Sequence, residues 1–137
     1  MKNSIIKEYF ENRNIKSIYN YLNDNRHGLC QTFFENGNME SSWIFKDNMR
    51  NGLCVTFYES GRLFKISQYI NDWEDGMYQQ WFENGLPRME TFFRNRMQHG
   101  VYKGFHTNGQ IAETCRYDND KMIGDLIEFD ELGNRIS

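Results

Sequence analysis

Long hydrophobic runs are missing from this chain. None of its segments stays apolar for the roughly 18 residues that a membrane helix needs, so a helical span is excluded. The opening residues Met1-Lys2-Asn3-Ser4-Ile5-Ile6-Lys7-Glu8 lack the apolar core and small-residue cleavage site of a signal peptide, which makes a cytoplasmic protein the expectation. Cysteine is scarce as well, with three residues, and that suits a reducing compartment. No CxxC pair, HExxH or phosphate-loop sequence occurs, nor a Gly-x-Ser-x-Gly elbow. There are three histidines, His27, His99 and His106. Nothing in the sequence is basic enough to mark a nucleic-acid surface, and the formal charge of −3 opposes an anionic membrane.

What is present is a strict repeat. The stretch from Gly52 to Gly61 recurs as Gly28–Gly37, Gly76–Gly85 and Gly100–Gly109, and more weakly as Gly124–Gly133. Successive copies are offset by 24 residues, and ten of the 11 glycines fall at the two ends of these copies. A fixed period in this range is the mark of a repeat architecture. Counting each repeat from its opening glycine, position 6 reads Tyr9, Phe33, Phe57, Trp81, Phe105 and Phe129, and position 18 reads Tyr21, Phe45, Tyr69, Phe93 and Tyr117. The register reaches back to Ser4, where Ser4 and Arg13 replace the two glycines. One repeat domain therefore covers 1–137, with repeats starting near 4, 28, 52, 76, 100 and 124. Its first and last copies are caps.

Each repeat reads as a β-hairpin. Segments rich in Phe, Tyr, Trp, Ile, Thr and Val are bounded by Gly, Asn and Asp. Glu35-Asn36-Gly37 and Glu83-Asn84-Gly85 read as three-residue turns, with glycine where a positive φ is required. The connections between repeats, such as residues 46–51 and 71–75, read as longer polar loops, and Pro87 stands at a strand start. Residues 4–22 fit a strand hairpin by repeat register, while Ile5, Tyr9, Ile15, Ile18, Tyr19 and Leu22 also fit the spacing of a capping helix. Alternation places positions 6, 12, 16 and 18 on one face, as in Phe57, Leu63, Ser67 and Tyr69, and makes that aromatic ladder the expected core. The opposite face is expected to carry Phe10, Phe34, Tyr58 and Phe82, position 3 (Ile6, Cys30, Cys54, Tyr78, Tyr102), and Ile18, Ile44, Phe64, Ile66 and Phe92. With one strand between them, Cys30 and Cys54 would lie about 9.6 Å apart, too far for a disulfide. His27 and His99, three repeats apart, would be separated by about 29 Å and cannot share a metal.

An opening glycine, a strand ending in aromatic-Glu-Asn-Gly, a second strand and a polar link together resemble the MORN-repeat variant, named for a membrane occupation and recognition nexus. The likeness extends from about residue 4 onward and is best in Gly28–Gly37, Gly52–Gly61 and Gly76–Gly85. It implies an all-β fold, a single-layer, twisted antiparallel β-meander; with 24-residue hairpin repeats, about eleven strands follow. Bacterial proteins built wholly of this variant resemble antitoxins or occur as immunity proteins. Other members are scaffolds or were proposed to bind phospholipid.

No constellation of catalytic residues stands out, so the chain reads as a non-enzyme without cofactor or metal. The recurring Glu11, Glu35, Glu59 and Glu83 are a repeat position rather than a site. The expected function is protein binding, most specifically neutralisation of a toxin; the alternative is a MORN-type scaffold contacting membrane lipids or organising other proteins. Two features point to the binding surface. The second face is aromatic (Tyr58, Tyr78, Phe82, Tyr102), which marks an interaction patch and could also pair two copies. Residues 118–137 carry two basic and six acidic residues (Asp118, Asp120, Asp125, Glu128, Asp130, Glu131), a docking end for a basic partner. Asp72-Trp73-Glu74-Asp75 adds a tryptophan among acids in a connection where the other repeats have Asn25, Met49, Met97 and Lys121. Tryptophan is enriched among interface hot spots.

Overall fold

A computed structural model describes all residues, Met1–Ser137. It contains no helix, and hence none long and apolar enough to cross a membrane. Its thirteen strands are β1 (Asn3–Tyr9), β2 (Ile15–Leu22), β3 (Asn25–Arg26), β4 (Gly28–Phe33), β5 (Met39–Lys46), β6 (Met49–Phe57), β7 (Leu63–Ile70), β8 (Trp73–Trp81), β9 (Pro87–Arg94), β10 (Met97–Gln98), β11 (Gly100–Phe105), β12 (Ile111–Asp118) and β13 (Lys121–Glu128). All lie in one open antiparallel sheet and neighbour each other in chain order. Two of them, β3 and β10, are two-residue stubs that lead through His27 and His99 into β4 and β11, so eleven full strands remain. The first repeat is the hairpin β1–β2, not a capping helix; Arg13 takes the glycine position of its turn at φ 72°.

Only nine residues are buried. The accessible surface is 8803 Å², against about 7,500 Å² for a compact globule of this mass. A single layer has no second layer to close over it, so its packing is confined to one face and consists of side chains leaning across neighbouring strands.

The hairpin turns run as the sequence predicts. Gly37 sits at φ 92°, and the N–H of Phe34 donates to Asn38 O at 2.8 Å. The links between repeats are tighter than expected. Asp47-Asn48 (φ 50°, 67°) and Asn71-Asp72 (φ 48°, 68°) are two-residue turns with both φ values positive, as are Asn23-Asp24, Asn95-Arg96 and Asn119-Asp120. This primed turn matches the twist of the flanking strands, and Asn and Asp tolerate the left-handed region best among residues with a side chain. The residues after it, Trp73 included, therefore belong to a strand and not to a loop.

Both ends of the strands are stitched from repeat to repeat. At the hairpin turns, Asn12, Asn36, Asn84 and Asn108 each donate a side-chain N–H to a backbone carbonyl in the next turn, those of Glu35, Glu59, Thr107 and Glu131. At the opposite ends, the backbone N–H groups of Arg26, Arg50 and Gln98 donate to Asn48, Asp72 and Asp120 Oδ1. The periodic Glu at the hairpin turns is thus a backbone acceptor in a structural spine, whatever its side chain does.

Candidate functional site

The two faces of the sheet differ from the simple alternation expected. In each hairpin a bulge falls near the turn: Thr56 pairs with Lys65, but Phe57 pairs with Leu63. Position 6 is thereby carried out of the ladder. Position 3 joins it instead, because directly opposed residues share a face: Cys30 faces Trp43, Cys54 faces Ser67, Tyr78 faces Thr91 and Tyr102 faces Cys115. Along this row one large residue is matched with a small one in most repeats. The ring comes from the second strand in the N-terminal half (Tyr19, Trp43) and from the first strand in the C-terminal half (Tyr78, Tyr102). Between them Cys54 and Ser67 are both small and only 1% exposed. The aromatics of position 18 complete the packed face, each lying opposite an opening glycine: Phe45 on Gly28, Tyr69 on Gly52, Phe93 on Gly76 and Tyr117 on Gly100. These glycines leave room on the other side of the sheet, where a Cβ would meet Ile44 at Gly52, Gln68 at Gly76 and Phe92 at Gly100.

Most of the aromatic candidates belong to this packed face. Tyr78 meets Phe93 with ring centroids 5.7 Å apart, and its hydroxyl accepts from Gln80. Tyr102 meets Tyr117 edge-on at 6.4 Å and donates its hydroxyl to Glu113 at 2.7 Å, and burial pushes its pKa upward. Tyr58 packs 5.0 Å from Phe64 and donates to Trp81 O at 2.8 Å. His106 makes the corresponding link to Phe129 O two repeats on. Phe82 lies under the Arg88 guanidinium. The cysteines are free thiols, with Trp43 standing between Cys30 and Cys54, and burial raises the Cys54 pKa to about 11.

The acidic candidates do not form one cluster. Asp72 and Asp120 are turn residues occupied by backbone N–H groups, and hydrogen bonds from the Arg50 backbone and guanidinium hold the Asp72 carboxyl below its usual range. Asp130 accepts from the N–H groups of Leu132 and Asn134 and from the Asn134 side chain, which likewise lowers its pKa. Asp75 accepts from Asn95 N–H, and Glu74 faces Tyr69. Asp118 lies 3.3 Å from His99. Asp125 and Glu128 project from β13, the outermost strand. No group of three His, Cys, Asp or Glu residues is placed to hold a metal.

The opposite face is the open one. Its exposed apolar residues are those of positions 2 and 17: Leu29 opposite Ile44, Met77 opposite Phe92, with Leu53 and Val101 in the same row. Position 2 was not picked out from the sequence; its apolar residues, at a 24-residue interval, were the available signal. Trp73 stands on this face, 48% exposed and opposite Ile70. It shares a groove of 430 Å³ with Met49, Ile70 and Asp75, and Arg96 stacks 4.1 Å over its ring. The open face therefore brings Trp73 together with Met49 and Ile70, while Tyr58, Tyr78 and Tyr102 take part in the packing of the other.

The MORN repeat variant matches at residues 26–47, 50–71 and 98–119. The intervening stretch lies outside those matches, yet β8 and β9 pair in the same way as their neighbours. No curated protein matches the chain. A crystal structure of TarM aligns over 79% of this chain with 12% identity and a TM-score of 0.45, and the aligned part is 21% of that protein's length. The repeats at residues 26–47, 50–71 and 98–119 are MORN repeats of the variant type.

Proposed function

We propose that this repeat module is a non-catalytic binding protein whose open face covers a protein partner, and that the partner is a toxin with a basic surface, neutralised by direct contact. The carrying observation is the apolar row of Leu29, Ile44, Leu53, Met77 and Phe92, 40–46% exposed on one side of an antiparallel sheet. A solvated sheet face ordinarily alternates to polar residues, and a contiguous apolar patch marks an interaction site. The acidic end supports a basic partner, since complementary charge speeds encounter even where it adds little affinity. A role as a bacterial immunity or antitoxin protein is the specific form of this reading.

Two substitutions test it, using the partner that copurifies from native cells. Trp73→Ala removes a half-exposed ring, so stability should change by less than about 1 kcal/mol while affinity falls by at least about 2 kcal/mol. Phe92→Asp places a charge in the middle of the apolar row and should abolish capture. Unchanged binding by both variants would remove the open face as the docking surface. Flotation with anionic vesicles at low salt separates this reading from a lipid scaffold, because only the latter predicts co-migration.

A further inference from the structure

We propose that the packed face carries a second site, a groove between the first three repeats that binds the carboxylate side chains of an acidic protein segment. The groove encloses 390 Å³, and its walls are the rings of Tyr19, Trp43 and Phe45 with Arg26, Arg50 and Asp72 at the rim. That is within the size range of small-ligand sites, about 300–1,000 Å³.

The two arginines are preorganised. The Arg26 guanidinium lies 4.9 Å from the Tyr19 centroid and 5.6 Å from that of Phe45. Arg50 lies 4.4 Å from Tyr69 and 5.4 Å from Trp43. Stacking on a ring face fixes the guanidinium plane and leaves its N–H edge free for planar, bidentate recognition of a carboxylate. Asp72 holds Arg50 from one side only, through Nε at 2.9 Å and through Nη2 to its backbone oxygen at 3.2 Å. Arg26 is exposed and takes part in none of the three ion pairs of the molecule. No side-chain hydrogen bond or ion pair within the chain engages the Arg26 guanidinium, so its donors are available to an incoming anion.

The charge of the rim selects the ligand. Arg26 and Arg50 against Asp72 leave one net positive charge, which suits a singly charged carboxylate better than a doubly charged phosphate. The repeat itself does not demand arginine here, because the equivalent residues further along are Glu74, Gln98 and Met122. The site is therefore local to one end of the sheet. It acts on the opposite charge to the acidic end, so either can fail without the other.

The chain as a whole carries −3, so bulk electrostatics would repel an acidic peptide and only a local site can hold one. The experiment titrates the full-length, isotopically labelled protein with an acetylated, amidated hexaglutamate peptide and follows the three tryptophan indole signals, with Trp43→Phe assigning the relevant one. A saturable shift of Trp43, with Trp73 and Trp81 unmoved, is expected. Arg26→Ala and Arg50→Ala should each weaken binding by at least about ten-fold, as for loss of a charged hydrogen bond. Arg26→Lys, which keeps the charge without the planar fork, should also weaken it, and Arg116→Ala on the open face should not. Arg26 is exposed, so its variants should keep the native spectrum. An unmoved Trp43 at millimolar peptide, equal weakening by Arg116→Ala, or full retention by Arg26→Lys would overturn the proposal. So would tighter binding of inorganic phosphate at matched ionic strength, which would make the groove a phosphate site.

Discussion

Replacing Tyr69 by alanine should be the most damaging single truncation on the packed face, and its contrast with Phe57→Ala tests the face assignment. Tyr69 is 6% exposed. It pairs with Gly52 across the strands, and its ring lies 5.8 Å from Trp43 and carries the Arg50 guanidinium at 4.4 Å. Removing a buried ring costs about 3–5 kcal/mol, and the lost stacking of Arg50 accounts for about 0.5–1 kcal/mol of that. Phe57 ends β6 beyond the bulge, is half-buried and pairs with Leu63, with no ring among its close partners. Half the area removed from water predicts about 1.5–2 kcal/mol. Guanidinium unfolding followed by far-UV circular dichroism measures both, with the slope of the transition checked for constancy. The double variant Arg50→Ala/Tyr69→Ala should cost less than the sum of the single variants by up to about 1 kcal/mol. If Phe57→Ala costs as much as Tyr69→Ala, position 6 belongs to the ladder after all and the reasoning about the bulge is wrong.

Two further outcomes are expected. Gly76→Ala should destabilise more than Gly85→Ala. Both glycines have positive φ (104° and 89°), a strain of about 1–2 kcal/mol for any side chain. Only at Gly76 would the new methyl also collide with Gln68 Oε1, which accepts the Met77 N–H, adding about 0.5–1 kcal/mol that Gln68→Ala should remove. Stability should also fall in alkali. The Cys54 thiol titrates near 9 when unfolded and at about 11 when folded, so the unfolded chain loses its proton first. The contribution is complete below pH 9 and is lost as pH rises toward 11. Denaturation midpoints across this window report it, and Cys54→Ala should flatten the decline; an equally steep decline in that variant would assign it to Tyr69 or other buried hydroxyls.

The sequence by itself determined the architecture. A 24-residue period with glycine at two fixed places specifies where the chain must turn, and aromatics between them specify strands. Each repeat meets only its neighbours, so local pattern and global fold coincide, and eleven full strands in chain order follow from arithmetic. The expected separation of Cys30 and Cys54 followed in the same way, since one strand must lie between equivalent residues. The tight two-residue turns were less legible, because Asn71-Asp72 and the polar residues after it read alike until backbone angles separate turn from strand.

Only the tertiary structure decided which side chains share a face. Strict alternation links position 6 to position 18, but one extra residue on the second strand, Phe64 opposite the Thr56–Phe57 step, breaks that parity, and no local composition announces it. The exchange of ring and small residue between positions 3 and 16 was equally hidden, since each column alone looks irregular and only the register across the strands sets Cys30 against Trp43, Tyr78 against Thr91 and Tyr102 against Cys115. Acidic candidates such as Asp72 and Asp130 were visible as charges, yet their carboxylates are taken up by backbone N–H groups, that of Arg50 in the preceding hairpin for Asp72 and those of Leu132 and Asn134 in its own turn for Asp130. The stacking of Arg26 and Arg50 had the same cause: residues about twenty positions apart become neighbours only when hairpins are laid side by side in register.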